Sequence, residues 1–265
     1  MARSHTPARG EEAACPRELT GPLPRPAHRP PIHSLLHHFL DPFLEFIYPP
    51  LCLSCGGRLA AGESLLCAPC LHRAPLLHQA DSALARARRG LHREYRVEDV
   101  AALWHFEGPV RDLVHSFKYG ALWSAAEEAG TWLGRRMVRV SDRWLPDLIV
   151  PVPLHPARVR ERGYNQSACI ARGVARVLGV PASDAAARTR DTVTQTALDR
   201  GRRRENVAGA FRIRRPELVR GARVLIVDDV VTTGATVGAL AGALMEAGSA
   251  GCAVASLAIA LSDSP

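Results

Sequence analysis

Apolar positions along the chain change period several times, and those changes mark out the elements. Leu35, Leu36, Phe39, Leu40, Phe43, Leu44 and Ile47 share one helical face, and Asp41-Pro42, an N-cap followed by a first-turn proline, splits that helix in two. Residues 97–106 read as a strand and residues 108–119 as a helix bearing Val110, Leu113, Val114 and Phe117. A second helix is expected over 122–140. Residues 147–152 are a further apolar run, and Ile170, Val174, Val177 and Leu178 place a helix after Tyr164 that Gly179 ends, with Cys169 as a small core residue. Short strands are expected at 185–188 and 208–213.

The most informative stretch is residues 224–236, VLIVDDVVTTGAT. Val224, Leu225, Ile226 and Val227 do not alternate with polar residues, which is the pattern of a parallel strand covered by helices on both faces. Asp228 and Asp229 are then expected at its carboxyl end, where open α/β sheets bind ligands. Val237, Leu240, Ala241, Leu244 and Met245 continue at helical spacing. Backbone N–H groups at that helix N-terminus, with three Thr hydroxyls and a glycine, form a cradle for a monophosphate. Two carboxylates beside it suit vicinal hydroxyls or Mg²⁺. An anion site next to a hydroxyl site describes a ribose 5-phosphate.

Other readings of a strand ending in Asp-Asp fail on context. A response-regulator receiver domain places its acid pair near the start of the domain, whereas 36 residues follow Asp229 here. Neither GxxxxGK[ST] nor GxGxxG follows a strand.

Cys52, Cys55, Cys67 and Cys70 form two CxxC pairs separated by eleven residues. Four thiolates satisfy tetrahedral Zn²⁺, and N–H groups near Gly56 and Gly57 are expected to donate to the sulfurs. A redox dithiol needs only one pair. Between the two motifs, the loop PVPLHPARVRERGYNQ carries Arg158, Arg160 and Arg162, placed to grip a pyrophosphate at a neighbouring strand end. His155 in that loop has no assigned role. The polar stretch 190–205 lacks periodicity and reads as disorder or a functional lid.

The length of 265 residues accommodates one sizeable α/β domain and a smaller module. The formal charge of +8 favours anionic ligands, although Lys118 is the one lysine among many arginines, so composition bias supplies part of it. That lysine reads equally as a required ammonium group or a solvated helix-end residue. Residues 1–31 are rich in Pro, Arg, Ala and Gly and are expected to be disordered, with Cys15 an incidental thiol. Seven cysteines without a secretory leader pattern argue for the cytoplasm and against disulfides, and no run of about 20 apolar residues spans a bilayer. The amphipathic segment after residue 31 fits packing on the cysteine module or a membrane surface.

Taken in order, the four-cysteine module, FKYG, PVPLHPARVRERGYNQ, RTRDTVTQ to RRRENVAGAF, and the acid/Thr motif resemble the ComF/GntX family over about residues 44–262. The resemblance implies an α/β fold: a type I phosphoribosyltransferase-like parallel sheet flanked by helices, plus a small N-terminal zinc module built on the four cysteines. It divides the chain into a tail (1–31), an amphipathic helix with the zinc module (32–75) and a transferase-like domain (95–262). It further implies that Asp228 and Asp229 hold the ribose hydroxyls of phosphoribosyl pyrophosphate (PRPP), and that Thr232, Thr233, Gly234, Ala235 and Thr236 hold its 5-phosphate. Arg158 and Arg162 match the family's pyrophosphate loop, and Thr192, Gln195, Arg203 and Asn206 its flexible loop. Zn²⁺ is implied as structural and Mg²⁺ as the companion of PRPP.

Two functions follow as expectations. One is transfer of phosphoribosyl from Mg-PRPP to a nitrogenous acceptor with release of pyrophosphate, assisted by Arg158, Arg162 and Arg203. The other is a non-catalytic PRPP-sensing adaptor in DNA uptake that meets single-stranded DNA or a competence helicase. Aromatic residues are 5% of the chain and do not interleave with the arginine clusters, so no base-stacking platform is evident.

Overall fold

The computed structural model describes residues 49–119, 122–140, 144–189 and 209–260. The amphipathic segment at 35–47, Cys15, and the loop residues Thr192, Gln195, Arg203 and Asn206 lie outside them.

Four strands, β1 (Asp99–His105), β2 (Leu148–Pro151), β5 (Arg223–Val231) and β6 (Gly251–Ile259), form one parallel sheet in the order β1-β6-β5-β2. The strand expected at 97–106 is therefore a parallel member of this sheet at its edge. Two short strands, β3 (Ala186–Arg188) and β4 (Phe211–Ile213), pair antiparallel apart from it.

Side chains on β5 divide between two cores. Leu225 and Val227 join α3 (Pro109–Tyr119), α4 (Trp123–Val140) and α6 (Gln166–Leu178) on one face. Val224 and Ile226 join α2 (Ser82–Tyr95) and α8 (Ala235–Glu246) on the other. All nine residues of β6 are buried, as helices on both faces require. Helices α4 and α6 approach so closely that a Cβ on Gly173 would lie 2.0 Å from the Glu127 carbonyl oxygen, and one on Gly130 2.1 Å from that of Ile170.

Helix α2 went unread in the sequence. Asp81 caps it, its carboxylate accepting from the Ala83 N–H at 2.8 Å, and Ala83, Leu84, Ala87 and Leu91 are buried at helical spacing. The remaining short helices are α1 (Ala68–Arg73), α5 (Pro156–Arg162) and α7 (Pro216–Val219).

Two local expectations change. The arginine loop is partly helical: His155 accepts from the Ala157 N–H, Pro156 starts α5, and Gly163 ends it in the left-handed region. Strand β5 also continues past its acids to Val231, because β6 pairs with it along its whole length. Strand β2 stops at Pro151 opposite Val227, so from Asp228 onward that side of β5 is open. The N-terminus of α6 fills the opening.

Candidate functional site

Asp228 and Asp229 sit where the sheet loses β2, facing the first turn of α6. The Ser167 hydroxyl donates to Asp228 Oδ1 at 2.9 Å, and the Gln166 amide donates to Asp229 Oδ2 at 3.2 Å. Asn165 places both donors: its side chain caps α6 by accepting from the Ser167 N–H at 3.1 Å and donates to the Val152 carbonyl at 3.0 Å. Helix α6 thus directs its positive N-terminal end at the acid pair. Gln166, Ser167 and Asp229 are buried, while Asp228 keeps some solvent contact.

Burial pushes the Asp228 carboxyl up to about 8, and the neighbouring Asp229 carboxylate adds to the rise against the lowering effects of the Ser167 hydroxyl and the Asp229 N–H. Two acids forced this close disfavour full ionisation. The pair is therefore primed for a cation or for hydroxyl donors that relieve the repulsion.

Immediately beyond β5, Thr232 and Thr233 are exposed and Thr236 partly so. Gly234 is the N-cap of α8 at φ +79°, with no side chain to occupy the helix end; the Thr233 hydroxyl accepts from the Ala235 N–H at 3.4 Å. A Cβ on Gly234 would lie 2.9 Å from Leu91 Cδ2, and one on Gly238 2.4 Å from the Tyr95 ring. Helix α2 therefore roofs the start of α8; the Tyr95 ring leaves no room for a side chain at Gly238, while Gly234 is set by its left-handed backbone.

Arg162 reaches the acid pair indirectly, donating to Gln166 Oε1 at 3.3 Å. Arg158 lies one turn earlier on the same face of α5 and pairs with Glu161 at 2.9 Å on the surface. The structure thus brings Arg162, Asp228, Asp229 and the 232–236 turn to one edge of the sheet. Gln166 and Ser167 were missed in the sequence, although GYNQS directly follows the arginines. Tyr164 in the same run donates its hydroxyl to the Phe117 carbonyl, which ties the end of α3 to this segment.

The four cysteine sulfurs of residues 52, 55, 67 and 70 lie within 4.8 Å of one another, and this group could hold a metal ion. Cys55 and Cys67 Sγ are 3.7 Å apart, close to the ~3.8 Å edge of a tetrahedron with ~2.3 Å metal–sulfur bonds. Of the N–H groups expected near Gly56 and Gly57, those of Ser54 and Cys55 reach the Cys52 sulfur, whereas the Gly56 N–H donates to the Cys52 carbonyl. For Cys52, burial raises the thiol, but N–H groups of Cys55, Cys67 and Ser54 outweigh it and bring it to about 6. Arg73 donates to Cys70 Sγ at 3.3 Å and lowers that thiol also. Such donors stabilise thiolates, the form that binds metal. The cluster shares a core with Leu103, Leu113 and Phe117 of the α/β body.

Among the described residues, no helix is long and apolar enough to cross a membrane.

A phosphoribosyl transferase domain matches residues 165–262, which hold the acid pair, its Gln166 and Ser167 donors and the Thr/Gly turn. The chain is 32% identical over 218 residues to the DNA utilization protein YhgH of Escherichia coli O6:H1, covering 76% of this chain and 93% of that protein. It is 27% identical to competence protein F of Haemophilus influenzae, over 74% of this chain and 91% of the relative. Among solved structures, it is similar to the glutamine PRPP amidotransferase of B. subtilis with 21% identity and a TM-score of 0.37, over 53% of this chain and 30% of that one. The fold is that of a phosphoribosyltransferase-type domain. With its four-cysteine module, the chain belongs to the ComF/GntX family.

Proposed function

We propose that the β5–α8 edge binds Mg-PRPP and that the protein transfers its phosphoribosyl group to a nitrogenous acceptor. The supporting observation is the convergence of the acid pair and a glycine-capped helix N-terminus at the point where β2 ends. Asp228 and Asp229 hold the ribose hydroxyls, and residues 232–236 hold the 5-phosphate. Arg162 and Arg158 take the pyrophosphate, with Arg203, Thr192, Gln195 and Asn206 contributing from the loop outside the described residues. Mg²⁺ would neutralise the pyrophosphate charge. The bond from C1 to the pyrophosphate oxygen breaks as the acceptor nitrogen attacks. This chain's residues position PRPP and stabilise the leaving group electrostatically.

The cysteine cluster holds structural Zn²⁺, since all four donors are thiols and no ligand position is left for substrate.

Calorimetric titration with Mg-PRPP, followed by a pyrophosphate-release assay against a panel of bases, tests the proposal. Binding should disappear in Asp228→Asn/Asp229→Asn while thermal stability is retained. A double variant that binds as wild type does would overturn the ribose assignment. The names of the relatives, DNA utilization and competence proteins, favour a second reading: the same site senses PRPP while the protein serves as an adaptor for single-stranded DNA or a helicase. Tight PRPP binding without turnover on any base selects that reading.

A further inference from the structure

We infer that the outer face of α2 is a docking surface for the phosphodiester backbone of a nucleic acid strand. The exposed face is the one turned away from the Leu84 and Leu91 side of the helix, and the inference stands whether or not the acid/Thr edge turns PRPP over.

The helix is divided by residue type. Its apolar positions Ala83, Leu84, Ala87 and Leu91 are buried. Arg88 is also turned inward, donating to the Val100 carbonyl at 3.0 Å and pairing with Asp99 at 2.9 Å. Arg86, Arg89 and Arg93, spaced by three and four residues, share the exposed face, and Arg96 follows at the cap. The one acid exposed among them, Glu94, is 3.7 Å from Arg93, whose side chain remains 82% exposed, so the pair is weak and screened.

A second observation concerns Arg96. It has φ +56°, and among the described residues every other positive-φ position is a glycine. Left-handed backbone is costly for a side chain with a Cβ, and a helix C-cap of this kind ordinarily carries glycine. The strained arginine extends the basic row by one more charge, at a position where glycine would fold better. Strain kept at one residue points to a role outside the fold.

Dimensions select the partner. From Arg86 to Arg96 the row is roughly 15 Å long, with neighbours about 5–6 Å apart, which suits several successive phosphates of one strand. A lipid surface is disfavoured because Leu84 and Leu91 are buried and leave no large apolar side chain to enter a bilayer. Tyr95 packs against Gly238, so the face has no stacking aromatic and contact is with the backbone rather than the bases.

The test uses the full chain and a fluorescein-labelled oligonucleotide, single-stranded in one arm and duplex in the other, titrated over a salt series. Arg86→Gln/Arg89→Gln/Arg93→Gln should lower affinity at least tenfold. It should reduce the salt slope by about 2 for a single strand, or nearly 3 for a duplex. Arg212→Gln/Arg214→Gln/Arg220→Gln removes the same charge from exposed positions elsewhere and should change affinity less than threefold. Arg96→Gly should move two readouts in opposite directions, raising the thermal midpoint by roughly 1–3 °C while weakening binding. PRPP titration is run on every variant and should be unchanged, so failure here is separable from failure of the PRPP site. Equal losses from both triple variants, no effect of the first, or no binding of either oligonucleotide would overturn the inference.

Discussion

Gln166 presents its amide to Asp229 Oδ2 at 3.2 Å and its carbonyl oxygen to Arg162 at 3.3 Å, so one buried neutral side chain links the acid pair to an arginine of α5. Its two ends are not interchangeable: an acid requires the N–H₂ and an arginine requires the oxygen.

Gln166→Met, similar in length but apolar, should leave Asp229 without this donor and lower PRPP affinity by about tenfold, equivalent to ~1.4 kcal/mol. A purely structural role would make Gln166→Met and Arg162→Met additive in binding. Transmission through Gln166 predicts a coupling of about 1 kcal/mol or more in the double-mutant cycle by calorimetry.

The acid pair should also set a pH dependence. Asp228 has an ordinary value of 3.8 and stands at about 8 in the fold, so between these values the folded state holds a proton that the unfolded state has lost. Its contribution to stability is fully present below about pH 4, declines as pH rises, and is lost above about 8. Asp228→Asn removes this loss. Thermal scans from pH 5 to 9 should show the variant gaining on wild type as pH rises, by up to ~1.4 kcal/mol per pH unit below about pH 8 and no further above it. A constant difference across the range contradicts the raised value. If Asp228 and Asp229 hold Mg-PRPP as proposed, PRPP affinity of wild type should strengthen toward pH 8 as the pair ionises.

The metal content follows from the four thiols. One Zn²⁺ per chain is expected in protein purified without chelator, and Cys67→Ser/Cys70→Ser should remove it by elemental analysis. Because Cys52 and Cys70 share a core with Leu113 and Phe117, zinc loss should also lower the thermal midpoint of the α/β body. Zinc content that survives the double substitution would relocate the site.

Much of the site was legible because its parts are local. The apolar run 224–227, the acids after it and the Thr/Gly turn are contiguous, and the two CxxC pairs carry their spacing with them. Gln166 and Ser167 were not legible, since their value comes from hydrogen bonds across 63 and 61 residues of sequence. Strand β5 was read short for the same reason: carboxylates disfavour a strand locally, but β6 supplies hydrogen-bond partners through Val231. Helix α2 was overlooked because its arginines dilute a regular apolar face.

That helix makes the last prediction. Leu91 rests over Gly234, where a Cβ would approach within 2.9 Å of Cδ2, and Gly234 itself has φ +79°. Gly234→Ala meets both obstacles. The leucine tip can turn aside at small cost, whereas the left-handed backbone costs ~1–2 kcal/mol for any residue with a Cβ. Relaxation of that strain would rotate the first N–H groups of α8 away from the phosphate position. Stability should therefore fall by ~1–2 kcal/mol, and affinity for ribose 5-phosphate by at least tenfold. Adding Leu91→Ala separates the causes: it removes the side-chain contact but not the strain, so phosphate affinity should stay low. Full recovery in the double variant would show that Leu91 crowding, not the glycine's backbone, controls the cradle. An unchanged affinity in Gly234→Ala would remove the 232–236 turn from the phosphate site.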